Sequence, residues 1–265
     1  MKIALCLYGL VGGKTGKDGK GGCLDYKVAW NHYKEHIIDK NDVDVFIHTW
    51  STDFERELTD LYRPTKSVFE RQIDFRGQIN LNVRDIFIDR VRKYKTYLRN
   101  TLTKNKILYY SYADRAYRAY SRWYSNKRTI GLKREYEIAN GFLYDWVIIS
   151  RLDVAFFTDV IFDRYDSDFF YASHWNGAPD VNRGKLHADR ENHNVGVGFL
   201  DLWFFSNSKM MDMFSTLYDH LKEYNISPHR ASRQHVDTFT DKIRYVFYRW
   251  DDHELVRRKY LNATE

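Results

Sequence analysis

Short apolar runs alternate along the chain with charged and glycine-rich stretches, the spacing of strands and helices rather than of repeats. Residues 2–8 (KIALCLY) are almost continuously apolar, as a strand buried on both faces of a parallel sheet would be. The run stops at Gly9. Residues 12–22 then hold six of the chain's 14 glycines together with Lys14, Lys17 and Lys20, which predicts a basic loop rather than a helix or strand. Over residues 24–38, Val28, Trp30, Tyr33 and Ile37 recur about one helical turn apart and predict an amphipathic helix. Residues 42–50 (DVDVFIHTW) read as a second strand. Strand, loop, helix and strand make a βαβ unit, which crosses over right-handedly and binds ligands at the carboxyl ends of its strands. Those ends are Tyr8, Gly9, Leu10, Val11 and Gly12 on the first strand and His48 to Ser51 on the second.

The middle of the chain, residues 53–105, is charged and mostly helical in pattern. Residues 109–124 predict a long helix on which Ser111, Arg115, Arg118 and Arg122 form one basic stripe, although a solvated helix face has the same spacing. Residues 144–157 (YDWVIISRLDVAFF) carry the strongest buried-strand pattern, and the polar group Ser150, Arg151 and Asp153 follows the apolar stretch at once. Further strands are expected at 169–173 and 195–205, the latter interrupted by Asp201, with a polar stretch over 174–194 between them. A helix over 208–221 and mixed pieces to residue 265 complete an α/β pattern. The expected architecture is one domain, a three-layer α/β/α sandwich around a mostly parallel sheet. Residues 1–155 would form a nucleotide-binding half and residues 156–265 an acceptor-side half.

Composition narrows the partners. The 265 residues are 43% hydrophobic, enough for one large core, and aromatic residues reach 17%, which suits either an aromatic core or a surface for sugars and bases. A formal net charge of +6 favours an anionic partner. Basic residues are dispersed and no nucleic-acid-binding signature occurs, so nucleic acid is not expected. The apolar runs are strand-sized and no cleavable leader pattern is present, so the expectation is a soluble cytosolic protein without a membrane span. Cys6 and Cys23 support neither a disulfide framework nor a zinc site.

Several residue groups could carry chemistry. Residues 9–15 (GLVGGKT) fall one residue short of a Walker A loop, and the glycines after Thr15 leave no helix start to complete a phosphate site. The Arg151–Asp153 group could hold a diphosphate or a divalent ion at a strand end, or form an internal salt bridge. Asp42-Val43-Asp44 and Asp166-Ser167-Asp168 both precede strands and read as turn carboxylates. His174, Trp175, Asn176, His187, Asp189, Glu191 and His193 make a polar belt without metal-ligand spacing. Asp201 interrupts an apolar strand, where a carboxylate is costly unless it is paired or functional. Asp251, Asp252, His253, Arg257 and Arg258 fit a charged terminal segment, with a late metal-binding histidine as the sharper reading.

KIALCLYG, VDVFIHTW, YDWVIISRLDV and NVGVGFLDLWFFSNSKMMDMF together resemble viral and bacterial polysaccharide-type glycosyltransferases of the GT-A fold. The resemblance implies a UDP- or GDP-sugar donor and a glycan or other hydroxyl acceptor. It further implies that the first strand and its loop bind the nucleotide and that an Asp-x-Asp, or a reduced relative, binds Mg²⁺ or Mn²⁺ and the diphosphate. Arg151 replaces the first Asp of that motif, which leaves Asp153 as the metal candidate. Tyr8 to Gly12, His48 and Trp50 would line the base and ribose. Arg115 and Arg118, or the Lys14–Lys20 loop, would reach the phosphates, and Asp153 would face the diphosphate, directly or through the ion, with Arg151 as its partner. Asp201, or failing it His193, would be the base of an inverting transfer. For a viral chain the place of action would be host cytoplasm. A P-loop-like phosphotransferase or sulfotransferase, and a non-catalytic carbohydrate- or nucleotide-binding domain, are the competing readings.

Overall fold

The computed structural model describes residues 1–11, 26–79, 83–103, 109–174 and 198–256. The first strand β1 (Ile3–Gly9), helix α1 (Tyr26–His36) and β2 (Val43–Thr49) form the expected parallel unit, with Tyr8 level with His48. Then come α2 (Glu55–Tyr62), β3 (Lys66–Phe69), α3 (Val83–Thr103), α4 (Tyr112–Asn140), β4 (Trp146–Arg151), β5 (Val154–Phe156) and β6 (Phe170–His174). Strand β7 (Leu200–Ser206), α5 (Ser208–Ser215), α6 (Pro228–Val236), β8 (Ile243–Tyr248) and β9 (His253–Leu255) complete the described chain.

Seven strands form one sheet in the order β3-β2-β1-β4-β7-β6-β8, and β5 and β9 pair separately. Only β7 runs against its neighbours β4 and β6. Helices cover both faces. Ile3, Leu5, Leu7, Ile47 and Ile148 pack with α1 and α2 on one side, while Ala4, Cys6, Phe46, Val147 and Ile149 pack with α4 and α5 on the other. Successive side chains of a strand point to opposite faces, so covering both accounts for the unbroken apolar run of β1. The chain is thus an α/β protein with a mostly parallel central sheet flanked by helices.

Four features differ from the sequence reading. Helix α4 does not stop near residue 124 but continues to Asn140, where Gly141 ends it in the left-handed conformation. Its second half buries Ser125, Asn126, Thr129, Lys133 and Glu137, so polar residues on the inward face hide the amphipathic period. At the other end Ser111 and Asp114 form a capping box, which fixes the start. The apolar stretch over 144–157 breaks at Leu152 and Asp153 into two strands belonging to different sheets. The four-residue edge strand β3 lies inside the stretch read as helical, and it is too short to show a period. The helix expected over 208–221 is α-helical only to Ser215 and tightens into a 3₁₀ turn at Thr216–Tyr218.

Candidate functional site

Parallel pairing brings the ends of β1, β2 and β4 to one edge. Tyr8 is level with Arg151 as well as with His48, and the Leu152 N–H donates to the Tyr8 carbonyl at 3.0 Å. Gly9 and Asp153 therefore share one rim of the sheet. Gly9 turns the chain there with φ of 104°, a conformation that a side chain disfavours, and a Cβ built on it meets nothing within 4 Å. Its N–H donates to Ser125 Oγ, and its carbonyl accepts from Trp50 N and Thr49 Oγ1. Val11 N–H is held by Ser51 Oγ at 3.1 Å. Leu10 packs, partly buried, on the α4 side.

The Arg151–Asp153 pair is a fork. Nε and Nη2 of Arg151 donate to the two Asp153 oxygens at 2.7 and 2.8 Å. Burial opposes the guanidinium charge, but Asp153 beside it outweighs burial and raises its pKa, so the pair is ionic. Tyr33 fixes the strand end, its hydroxyl donating to the Arg151 carbonyl and lying 2.6 Å from Ser150 Oγ. Among the described residues no three His, Cys, Asp or Glu side chains cluster as ligands for an ion. With both Asp153 oxygens on Arg151, the donor set does not make a protein-built ion site.

Because β7 is antiparallel, it begins at the edge where β1 and β4 end. Ser150 is level with Trp203, which places Asp201 just past the tip of β4. Asp201 is buried, ion-paired with Arg122 of α4 at one oxygen, and has His229 Nδ1 3.2 Å from the other. His229 Nδ1 also lies 2.9 Å from the Phe199 carbonyl. A carbonyl and a carboxylate only accept, so Nδ1 carries the proton and Nε2 the lone pair of the neutral ring. Burial, and then the charge of Arg122, push His229 down to about 4, so the ring is neutral at physiological pH. Gly198 makes this contact: its φ is 90°, and a Cβ there would stand 1.9 Å from the His229 carbonyl oxygen. Deeper in, the Tyr8 hydroxyl and both amide atoms of Asn126 are buried without a well-formed hydrogen bond. Burial raises the Tyr8 pKa, with Arg122 and Arg151 acting against it, so the phenol is a neutral donor beside two guanidinium groups.

Other residues named from the sequence serve the scaffold. His48 is fully buried, and Glu70 accepts from its Nε2 at 2.7 Å, so Nδ1 accepts from Ser125 Oγ at 2.6 Å. Trp50 stacks on Tyr124 with ring centroids 5.5 Å apart. Arg115 turns to Asp89 of α3, and Arg118 lies 3.9 Å over the Tyr110 ring. It is Arg122, the last member of the stripe, that reaches the sheet edge. Asp166 behaves as a turn carboxylate and accepts from Asp168 N, whereas Asp44 lies within β2 and takes bonds from Thr65 and Tyr144. Asp252 braces the turn between β8 and β9, accepting from Thr158 and Tyr248 N. His253 is buried against Ser173 Oγ at 2.6 Å, and burial pushes its pKa down to about 3. Gly12, the Lys14–Lys20 loop, His193, the other members of the polar belt after His174, Arg257 and Arg258 lie outside the described residues.

Sequence reasoning did not single out Asn126 or His229, and it named Arg122 only as part of a stripe. Their signal is tertiary: each becomes notable only when α4 and α6 are laid against the tips of β1 and β7. A shallow groove of about 300 Å³ also opens between α3 and the start of α4, lined by Ile86, Asp89, Arg90, Lys93 and Ser111. The sheet edge brings the Tyr8 hydroxyl and Asn126 close to the Arg151–Asp153 and Arg122–Asp201 pairs, whereas other buried atoms without a formed hydrogen bond, Arg115 Nη2 near the groove among them, are scattered. The sequence matches no family model and no curated protein.

Proposed function

We propose that the chain is a glycosyltransferase of GT-A type that binds a nucleotide-diphosphate sugar at the carboxyl edge of its sheet. One observation carries the reading: the tips of β1 and β4 lie side by side, and the Arg151–Asp153 fork and the Arg122–Asp201–His229 group stand at that edge. Arg151 and Arg122 supply positive charge for the leaving diphosphate, and the open turn at Gly9 lets backbone approach the nucleotide. Among the described residues the ligand set for Mg²⁺ or Mn²⁺ is incomplete. In the transfer, the bond from the anomeric carbon to the phosphate oxygen breaks as the bond to the acceptor oxygen forms. The electron pair leaves with the nucleoside diphosphate. In an inverting transfer the acceptor proton passes to the Asp201–His229 pair, in which Asp201 orients the imidazole and stabilises its charged form.

The test is a thermal-shift titration with UDP-, GDP- and ADP-sugars, each with and without Mn²⁺. A ligand at 100 times its Kd adds about 2.7 kcal/mol of stability. Asp201→Asn is expected to retain the shift while losing about a hundredfold or more in turnover. A wild-type protein that no nucleotide sugar stabilises, with or without the ion, overturns the reading.

A further inference from the structure

Helix α3 is amphipathic in the wrong sense for a helix that merely completes a core. At 100° per residue, Ile86, Tyr97, Tyr94, Phe87, Leu98 and Leu102 fall on one face, with Arg90 and Thr101 among them, and Asp89, Thr96 and Asn100 fall on the far side. The polar face is the one turned to the body. Asp89 accepts from Tyr112 N at 2.8 Å and pairs with Arg115, and the Tyr109 hydroxyl donates to its carbonyl. The apolar face is left outward: Phe87 is 66% exposed, Tyr94 63%, Tyr97 66% and Leu102 82%. At about 1.5 Å per residue the 21-residue helix presents this face over roughly 30 Å, well beyond a scattering of single exposed side chains.

Charge selects what covers it. The helix carries six basic residues (Arg84, Arg90, Arg92, Lys93, Lys95, Arg99) against two acidic ones (Asp85, Asp89), a net of +4. Lys93 borders the apolar face on the groove side and Lys95 borders it on the other, while Arg90 stands within it between Tyr97 and Tyr94. Two copies of α3 packed face to face would bring these like charges together. An anionic surface with an apolar interior meets both features at once. Tyrosines within such a face suit a boundary where the ring is buried and the hydroxyl stays wet. No helix among the described residues is long and apolar enough to cross a membrane, so α3 would lie along one.

We infer that α3 is a membrane-surface helix, which docks the protein on anionic lipid with its apolar face inserted at headgroup depth. This docking does not depend on the reading of the sheet edge.

Vesicle flotation of the full chain tests it, using phosphatidylcholine alone and phosphatidylcholine with about 30% phosphatidylglycerol, near the range where anionic surface potential matters. The wild type is expected to float with the anionic vesicles and to be released by high salt. Phe87→Asp combined with Tyr94→Asp, and separately Lys93→Glu combined with Lys95→Glu, should each reduce the bound fraction about tenfold. Lys222→Glu, an exposed charge elsewhere, should leave it unchanged. Circular dichroism and melting of each variant separate loss of docking from loss of fold, since all the replaced side chains are exposed. Failure of the wild type to float, or flotation that the α3 variants share, overturns the proposal. So does concentration-dependent dimerisation abolished by Phe87→Asp without vesicle binding, which would assign the face to a second copy.

Discussion

Two stretches of the inward face of α4 bury polar side chains, one at mid-helix and one toward the carboxyl end, yet they are built differently. Toward its carboxyl end, Lys133 donates to Glu137, Ser208 and Asp212 at 2.8, 2.6 and 2.7 Å. Glu137 in turn accepts from Ser208 and from Tyr144 N, so the three protons of the ammonium and both carboxylate oxygens are engaged. At mid-helix, where α4 passes the tips of β1 and β7, Asn126 and the Tyr8 hydroxyl are equally buried but have no well-formed hydrogen bond. A closed buried network is a fastener, because every group has its partner within the protein. An open one has donors and acceptors left for something else, and here it stands beside the Arg122–Asp201–His229 group.

The contrast can be broken experimentally. The largest effect is expected for Lys133→Met, which leaves Glu137 and Asp212 without their cation and should cost roughly 3–5 kcal/mol in urea unfolding. Any nucleotide-sugar shift of the molecules that still fold should be unaffected. Acid comes next. His229 and His253 are pushed down to about 4 and about 3 from the ordinary 6.5, so the unfolded chain takes up protons first as pH falls. Their contribution is complete above pH 6.5 and is lost as pH falls toward those lower values. By pH 4.5 the loss for the fully buried His253 alone is of order 2 kcal/mol, and His253→Gln should flatten that part of the melting-temperature profile. Asn126→Leu should have the smallest effect on stability, about 1 kcal/mol or less, because Asn126 makes only a poorly formed contact with the Tyr8 hydroxyl. It should nevertheless weaken the ligand-induced shift. If Asn126→Leu destabilises as strongly as Lys133→Met and leaves the shift intact, the open middle of the helix is scaffold after all.

Much of the fold is legible in the sequence because β1, β2 and β4 are covered on both faces and so advertise themselves as apolar runs. The Arg151–Asp153 pair and Asp201 are legible too, since each interrupts or ends such a run. What escapes is of two kinds. The second half of α4 hides because its inward face carries Lys133 and Glu137, whose mutual neutralisation only tertiary structure supplies. Arg122, Asn126 and His229 hide because they sit on helices whose spacing looks ordinary, and they acquire meaning only where three separate elements meet. Asp44 misleads in the opposite direction: its Asp-x-Asp spelling suggests a turn, while Tyr144 and Thr65 hold it inside a strand.

Gly198 joins two elements that the chain order keeps apart. The lead-in to β7 and the first turn of α6 touch backbone to backbone there, with the Phe199 N–H also donating to the His229 carbonyl at 3.0 Å. No padding separates them, so they behave as one lever: a displacement of the strand entry is handed undamped to the imidazole thirty residues later.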